Sequence, residues 1–293
     1  MISLFFLLII SLSCSEQVIL PPEPKSPELV EEDEPVEGVD YFLPKIDLGN
    51  WKVTLPIDDP KEVSPPDILD YAENPVLQKF MYNDSTDGSL VFYTYPGSTT
   101  PNSSYSRTEL REQMVPGSNS VNWKLSDVGI MEGTLSVPEV SKDAEGKDHR
   151  IIIMQIHGRL SNEQRDLIGE DDNNAPPVLK IYWDKGKVRV KTKILKDEDV
   201  SDIDILRTSS WTDDDGYNFP TLVHHEKFTL KVEASYGTIA VTLNGSETKT
   251  YKSEDLERWD IFENYFKAGN YLQTKDEGAF SKVKYYALEV SHP

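Results

Sequence analysis

The feature that most constrains the fold is a succession of short runs in which apolar and polar residues alternate. Such runs occupy 90–95, 129–137, 150–157, 178–183, 187–193, 227–234, 238–243 and 282–290. Alternation with period two, enriched in β-branched and aromatic residues, is the pattern of half-buried strands. Turn chemistry separates several of them, at Asp184-Lys185-Gly186, Tyr236-Gly237 and Asn244-Gly245. Helical patterns are confined to 66–80 and 253–258. The adjacent His224 and His225 would point to opposite faces of a strand, so a turn or surface pair is expected there. Eight or more antiparallel strands in one unit predict an all-β domain, a sandwich of two antiparallel sheets of jelly-roll kind. Nothing repeats at a fixed period, which excludes propellers and solenoids.

That pattern covers 41–293; the chain before it is different in kind. Residues 14–40 hold nine acids against the single base Lys25, together with Pro21, Pro22, Pro24, Pro27 and Pro35. Such a composition cannot bury enough apolar surface to offset the entropy of ordering, so an extended linker is expected. Residues 2–12 form an apolar run well short of the roughly 20 residues of a spanning helix. Leu12-Ser13-Cys14 follows it and resembles a bacterial lipoprotein signal, although no Lys or Arg precedes the run. The expectation is a signal peptide over 1–13, lipidation at Cys14, and an exported, monomeric domain whose only membrane association is the anchor. The alternative is an ordinary cleaved secretory signal with an incidental cysteine, and a secreted domain. Cys14 is the only cysteine, which leaves no intramolecular disulfide and no cysteine-built metal site. The net charge of −21 disfavours binding to nucleic acid or to an anionic membrane surface.

Three segments carry residues with chemistry. In Arg107-Thr108-Glu109-Leu110-Arg111-Glu112, alternation places Arg107, Glu109 and Arg111 on one face. Two guanidiniums spaced by a carboxylate suit a planar anion, and equally a solvated charged face. In Ile151-Ile152-Ile153-Met154-Gln155-Ile156-His157, an apolar strand ends in Gln155 and His157 on a shared face. In the segment from Asn264 to Gln273, alternation aligns Tyr265, Lys267, Gly269, Tyr271 and Gln273, an unusual set for a core strand. A cationic, hydrogen-bonding surface within an acidic domain points to an anionic ligand. No carboxylate pair is free for glycoside hydrolysis, and no phosphate loop, nucleophile elbow or metal-ligand spacing appears.

The three segments, in this order, resemble the signature blocks of polysaccharide lyase family 7, the alginate lyases. The resemblance implies a jelly roll with a substrate cleft across a concave sheet. It implies cleavage of 1,4-linked uronate chains by β-elimination, with no cofactor and no metal. Residue by residue, it makes Arg107 and Gln155 neutralise the substrate carboxylate, His157 a base near its ordinary pKa, and Tyr271 the proton donor to O4. It further makes Arg111, Glu109, Lys267, Tyr265 and Gln273 substrate contacts. Ile156 between Gln155 and His157 resembles members that accept guluronate-containing blocks. The alternatives are a lyase for another polyuronate, such as glucuronan, and a non-catalytic carbohydrate-binding jelly roll. The polar stretches 115–122 and 159–177 are expected to form lids over the cleft, and the acidic run Glu170-Asp171-Asp172 is an odd neighbour for a polyanion.

Overall fold

The computed structural model describes residues 43–293; the signal-like segment, Cys14 and the 14–40 linker lie outside the described residues. The chain forms two sheets. The eight-stranded sheet runs Glu247–Lys252, Thr238–Leu243, Phe228–Ser235, Gly129–Val140, Ser281–Ser291, Leu90–Thr94, Met81–Asn83, with Lys45–Ile46 added in parallel beside Ser281–Ser291. The nine-stranded sheet runs Trp211–Asp213, Lys187–Leu195, Asn174–Asp184, Ile151–Arg159, Glu263–Leu272, Arg107–Glu112, Trp51–Thr54, Glu62–Val63, and Tyr217–Leu222 also pairs with Lys187–Leu195. Consecutive hairpin strands alternate with pairs far apart in sequence, such as Ile151–Arg159 with Glu263–Leu272 and Gly129–Val140 with Ser281–Ser291, as jelly-roll crossovers require.

The strands follow the sequence pattern. Along Phe228–Ser235 the buried residues Phe228, Leu230, Val232 and Ala234 alternate with wetter ones. Lys185 and Gly186 both have positive φ and join Asp184 to Lys187, the two-residue turn whose twist matches a hairpin. Between the sheets, Phe92, Met131, Leu135 and Val283 from one meet Leu110, Met154, Phe266 and Ala268 from the other, all fully buried. Asn270 crosses this core: its Nδ2 donates to Phe92 O and Ser281 O, and its Oδ1 accepts from Ser281 Oγ. A buried amide satisfied on both ends costs little and fixes the register of the two sheets.

The expected helix over 66–80 is not formed. The segment is a series of turns with one 3₁₀ turn at Leu77–Lys79. Pro75 interrupts any continuous ladder, and the Asn74 side chain instead accepts from Val76 N and Leu77 N. The expected helix at 253–258 is present as Glu254–Arg258, capped by Ser253. His224 and His225 lie in a turn, where His225 Nδ1 lies 2.7 Å from Val137 O.

Candidate active site

The three chemistry-bearing segments are adjacent strands at the middle of the nine-stranded sheet, in the order Ile151–Arg159, Glu263–Leu272, Arg107–Glu112. Cross-strand register then builds the site. Lys267 faces Arg111 on one side and Gln155 on the other, Tyr265 faces His157, and Tyr271 faces Arg107.

One irregularity is required. The register against Ile151–Arg159 shifts between Ala268 and Tyr271. Gly269 sits in this bulge at φ 135°, and a Cβ there would meet Thr108 O at 2.7 Å, so only glycine fits. Its N–H donates to Tyr285 Oη, which in turn donates to Ile153 O. A core tyrosine thus mends the ladder beneath Tyr271.

At the centre of the floor is Glu109, fully buried. One carboxylate oxygen accepts from Gln155 Nε2 at 2.6 Å; the other lies 2.5 Å from Lys267 Nζ and 3.4 Å from Arg107 Nη1. This carboxylate has no access to a ligand; it holds in place three donors that do. The Arg107 guanidinium stacks over the Tyr271 ring at 4.0 Å.

Arg111 lies on the strand face its spacing predicts and lines the cleft, but its guanidinium is engaged by a loop. It stacks over the Tyr265 ring at 4.0 Å, and its nitrogens donate to Glu112 O, Asn119 O and Asn122 Oδ1. It therefore pins the 115–122 loop, helped by Gln113, whose side chain bonds Asn119 and Gly117. Gln273 lies just past the strand end, and its amide donates back to Tyr271 O.

Burial and the neighbouring Lys267, Arg107 and Arg111 push the His157 imidazole down to about 3, against the opposing pull of Gly158 O. A base near its ordinary pKa is therefore not what the unliganded site holds; the ring is neutral throughout the physiological range. Burial likewise lowers Lys267, to about 8, although Glu109 opposes the shift. The Tyr271 phenol is raised by burial against the pull of Arg107, so it is protonated at neutral pH.

The cleft has two connected halves that share Asn102, Arg107 and His157. One half is lined by Lys52, Thr54, Glu62, Arg111, Tyr265 and Lys267 among others; the other by Gln155, Lys180, Tyr182, Tyr271 and Gln273 among others. Lys52 and Lys180 extend a row of cations across the strands, being the cross-strand partners of Arg111 and Gln155. Alternation in Trp51-Lys52-Val53-Thr54 could have revealed Lys52, but the run is too short to stand out. Loops cover the cleft: Asn102 Nδ2 donates to Asp172 Oδ2 at 2.7 Å, joining the 96–106 loop to the 169–173 loop. The acidic run is thereby dispersed, since Glu170 lies 3.7 Å from Arg207 and Asp172 is bonded to Asn102. The 159–177 stretch also contains a helix, Asn162–Ile168, not expected from the sequence although Ser161 and Gln164 form a capping box.

A protein-family model for alginate lyase matches residues 46–292. The chain belongs to the alginate lyase family. It is 24% identical to an alginate lyase of Klebsiella pneumoniae, a match covering 85% of this chain and 90% of that one. Among solved structures, alginate lyase A1-II', a member of polysaccharide lyase family 7, superposes with a TM-score of 0.65 at 30% identity, covering 84% of this chain and 95% of that one. A variant of the same enzyme in complex with a product, GGG, gives a TM-score of 0.66 at 29% identity, covering 85% and 97%. The protein is thus an all-β polysaccharide lyase of the alginate lyase family, and the motif blocks read from its sequence form one continuous surface on its central strands.

Proposed function

We propose that this alginate lyase cleaves the 1,4 linkage by β-elimination, with His157 and Tyr271 handling protons and Arg107, Gln155 and Lys267 holding the uronate carboxylate. The observation that carries the reading is the buried Glu109, which fixes the donor atoms of those three residues beneath one cleft. The C5 proton of a uronate is barely acidic while the neighbouring carboxylate keeps its full charge. Preorganised donors that neutralise it stabilise the dianion that develops as the proton leaves. His157 takes that proton; the C5–H electrons form the C4–C5 double bond; the C4–O4 bond breaks, and O4 takes the proton of the Tyr271 phenol. A phenol with a raised pKa suits the donor role, and a neutral imidazole suits the acceptor role.

In guluronate the C5 hydrogen and O4 lie on opposite sides of the ring, which suits separate base and acid groups. In mannuronate they lie on one side, where Tyr271 can serve both ends: as phenolate it takes the C5 proton and passes it to O4. We propose a preference for guluronate-containing blocks. Ile156 is fully buried, so any influence on that preference reaches the cleft through packing. Variants of alginate lyase A1-II' form complexes with GGG as product and with GGMG as substrate, which supports an oligosaccharide as the ligand of this family's site.

The test is a screen of alginate, polyguluronate, polymannuronate and glucuronan, followed by ultraviolet absorbance of the new double bond. Unsaturated products from alginate are expected, fastest from guluronate-rich polymer. Saturated new reducing ends would show hydrolysis, and absorbance from glucuronan alone would move the substrate to another polyuronate. Binding without product would make the domain a carbohydrate-binding module. We also propose export with a lipid anchor at Cys14, on the strength of Leu12-Ser13-Cys14. Cys14→Ala is expected to release the protein from the membrane fraction, and retention there would refute the anchor. Deleting 16–40 is expected to leave activity and Tm unchanged.

A further inference from the structure

The two ring nitrogens of His157 are in unlike surroundings. Nδ1 lies 2.9 Å from Gly158 O and 3.1 Å from Tyr265 Oη. A carbonyl oxygen can only accept, so in the neutral ring the hydrogen sits on Nδ1. The acceptor itself is fixed. A Cβ on Gly158 would lie 2.8 Å from Pro176 O and 2.9 Å from a ring carbon of Trp259, so the backbone there is wedged between two neighbours. The ladder to Asn174–Asp184 also shifts register on both sides of His157, which marks a local distortion at this carbonyl.

The ring plane is fixed separately. Tyr265 stacks on the imidazole with centroids 5.2 Å apart and planes 13° from parallel. On the same tyrosine ring rests the Arg111 guanidinium, itself held by Glu112 O, Asn119 O and Asn122 Oδ1. The phenol ring thus meets both the imidazole and a guanidinium that is itself anchored to backbone.

We infer that Gly158 O holds His157 as the Nδ1–H tautomer, leaving Nε2 as the proton acceptor, and that Tyr265 and Arg111 are positioning residues that aim this nitrogen. The inference deepens the assignment of His157 as base and rests on it for its catalytic meaning. It reassigns Arg111 and Tyr265 from binding the substrate to orienting the base. The device differs from a carboxylate–histidine pair: a neutral carbonyl fixes the tautomer while adding little to the basicity of the ring.

The direct test is nitrogen NMR on histidine-labelled full-length protein at neutral pH, with His157→Asn identifying the resonances of this ring among the five histidines. A protonated Nδ1 and a bare Nε2 are expected. An Nε2–H tautomer, or an even mixture, overturns the inference. The kinetic test compares Tyr265→Phe, which keeps the stacked ring, with Tyr265→Leu, which removes it. Misaiming a catalytic group costs on the order of 10²-fold. Accordingly kcat should fall by about that in Tyr265→Leu with KM little changed, and Tyr265→Phe should recover most of it. Parental kcat in Tyr265→Leu, or equal losses in both variants, overturns the positioning role. If Tyr265→Leu does not fold, the parental and Tyr265→Phe spectra still decide the tautomer. The expected tautomer together with an active His157→Asn enzyme would support this assignment while refuting His157 as the base.

Discussion

The ammonium of Lys267 lies 2.5 Å from a carboxylate oxygen of Glu109; both side chains are buried, Glu109 fully beneath the cleft and Lys267 in its floor. Removing one member of a buried pair leaves an uncompensated charge, typically at about 3–5 kcal/mol. Glu109→Ala should therefore lose stability on that scale in urea denaturation and lose activity as Gln155 and Arg107 are released. A loss under about 1 kcal/mol would mean that water replaces the carboxylate and that Glu109 is not the brace described.

Tyr271→Phe keeps the ring beneath Arg107 and removes the hydroxyl. Loss of a general acid typically costs about 10²–10⁴-fold. A fall in kcat of that order on both polyguluronate and polymannuronate is expected, with KM little changed. His157→Asn should be comparably severe on polyguluronate and milder on polymannuronate. Equal losses on the two polymers would refute the division of proton transfer while leaving the lyase assignment standing. A dead Tyr265→Phe beside a nearly normal Tyr271→Phe would show that the acid is the other tyrosine of the strand.

The site was legible where alternation alone decides the face. Arg107, Gln155, His157, Lys267 and Tyr271 all project into the cleft as strand periodicity predicts, and the pairing of Glu263–Leu272 with Arg107–Glu112 runs without a shift from Lys267 to Tyr271. What alternation cannot show is how a side chain ends. Glu109 and Arg111 lie on the predicted strand face, yet one is sealed beneath its neighbours and the other is turned onto a loop. Asn102 and Asp172 were invisible for another reason: their pairing depends on two loops meeting in space, which no local pattern encodes. The edge strands Glu62–Val63 and Trp211–Asp213 are too short for periodicity to register.

The depressed pKa of His157 makes a stability prediction. Its folded-state value, about 3, lies below the ordinary 6.5, so between these values the unfolded chain binds the extra proton. The contribution of this group is complete above pH 6.5 and is lost as pH falls from 6.5 toward 3. His157→Asn cannot take up that proton, so its Tm should decline less steeply than that of the parent over this interval. Parallel Tm curves would show that the ring is as easily protonated in the folded protein as in the unfolded one.

Lys267 acts at the other end of the scale. With its pKa lowered to about 8, the ammonium is charged below that pH and progressively neutral above it. If it helps hold a carboxylate, kcat/KM of the free enzyme should decline as pH rises through about 8. Lys267→Arg, which keeps its charge, should move or abolish that limb. A decline that persists unchanged in Lys267→Arg would have to come from another group.

Asp172 presents a carboxylate to a cleft that binds a polyanion, while holding Asn102 across it. These two effects can be separated. Asn102→Ala breaks the bond and keeps the charge; Asp172→Ala removes both. Loop opening alone should appear in both variants as faster hydrogen exchange in the 96–106 and 169–173 loops, independent of salt. Loss of repulsion should appear only in Asp172→Ala, as a kcat/KM on alginate raised a few-fold at low ionic strength and returning toward the parental value at high salt. If the two variants respond alike at every salt concentration, the charge of Asp172 does not act on the substrate, and the residue serves only to close the roof through its bond to Asn102.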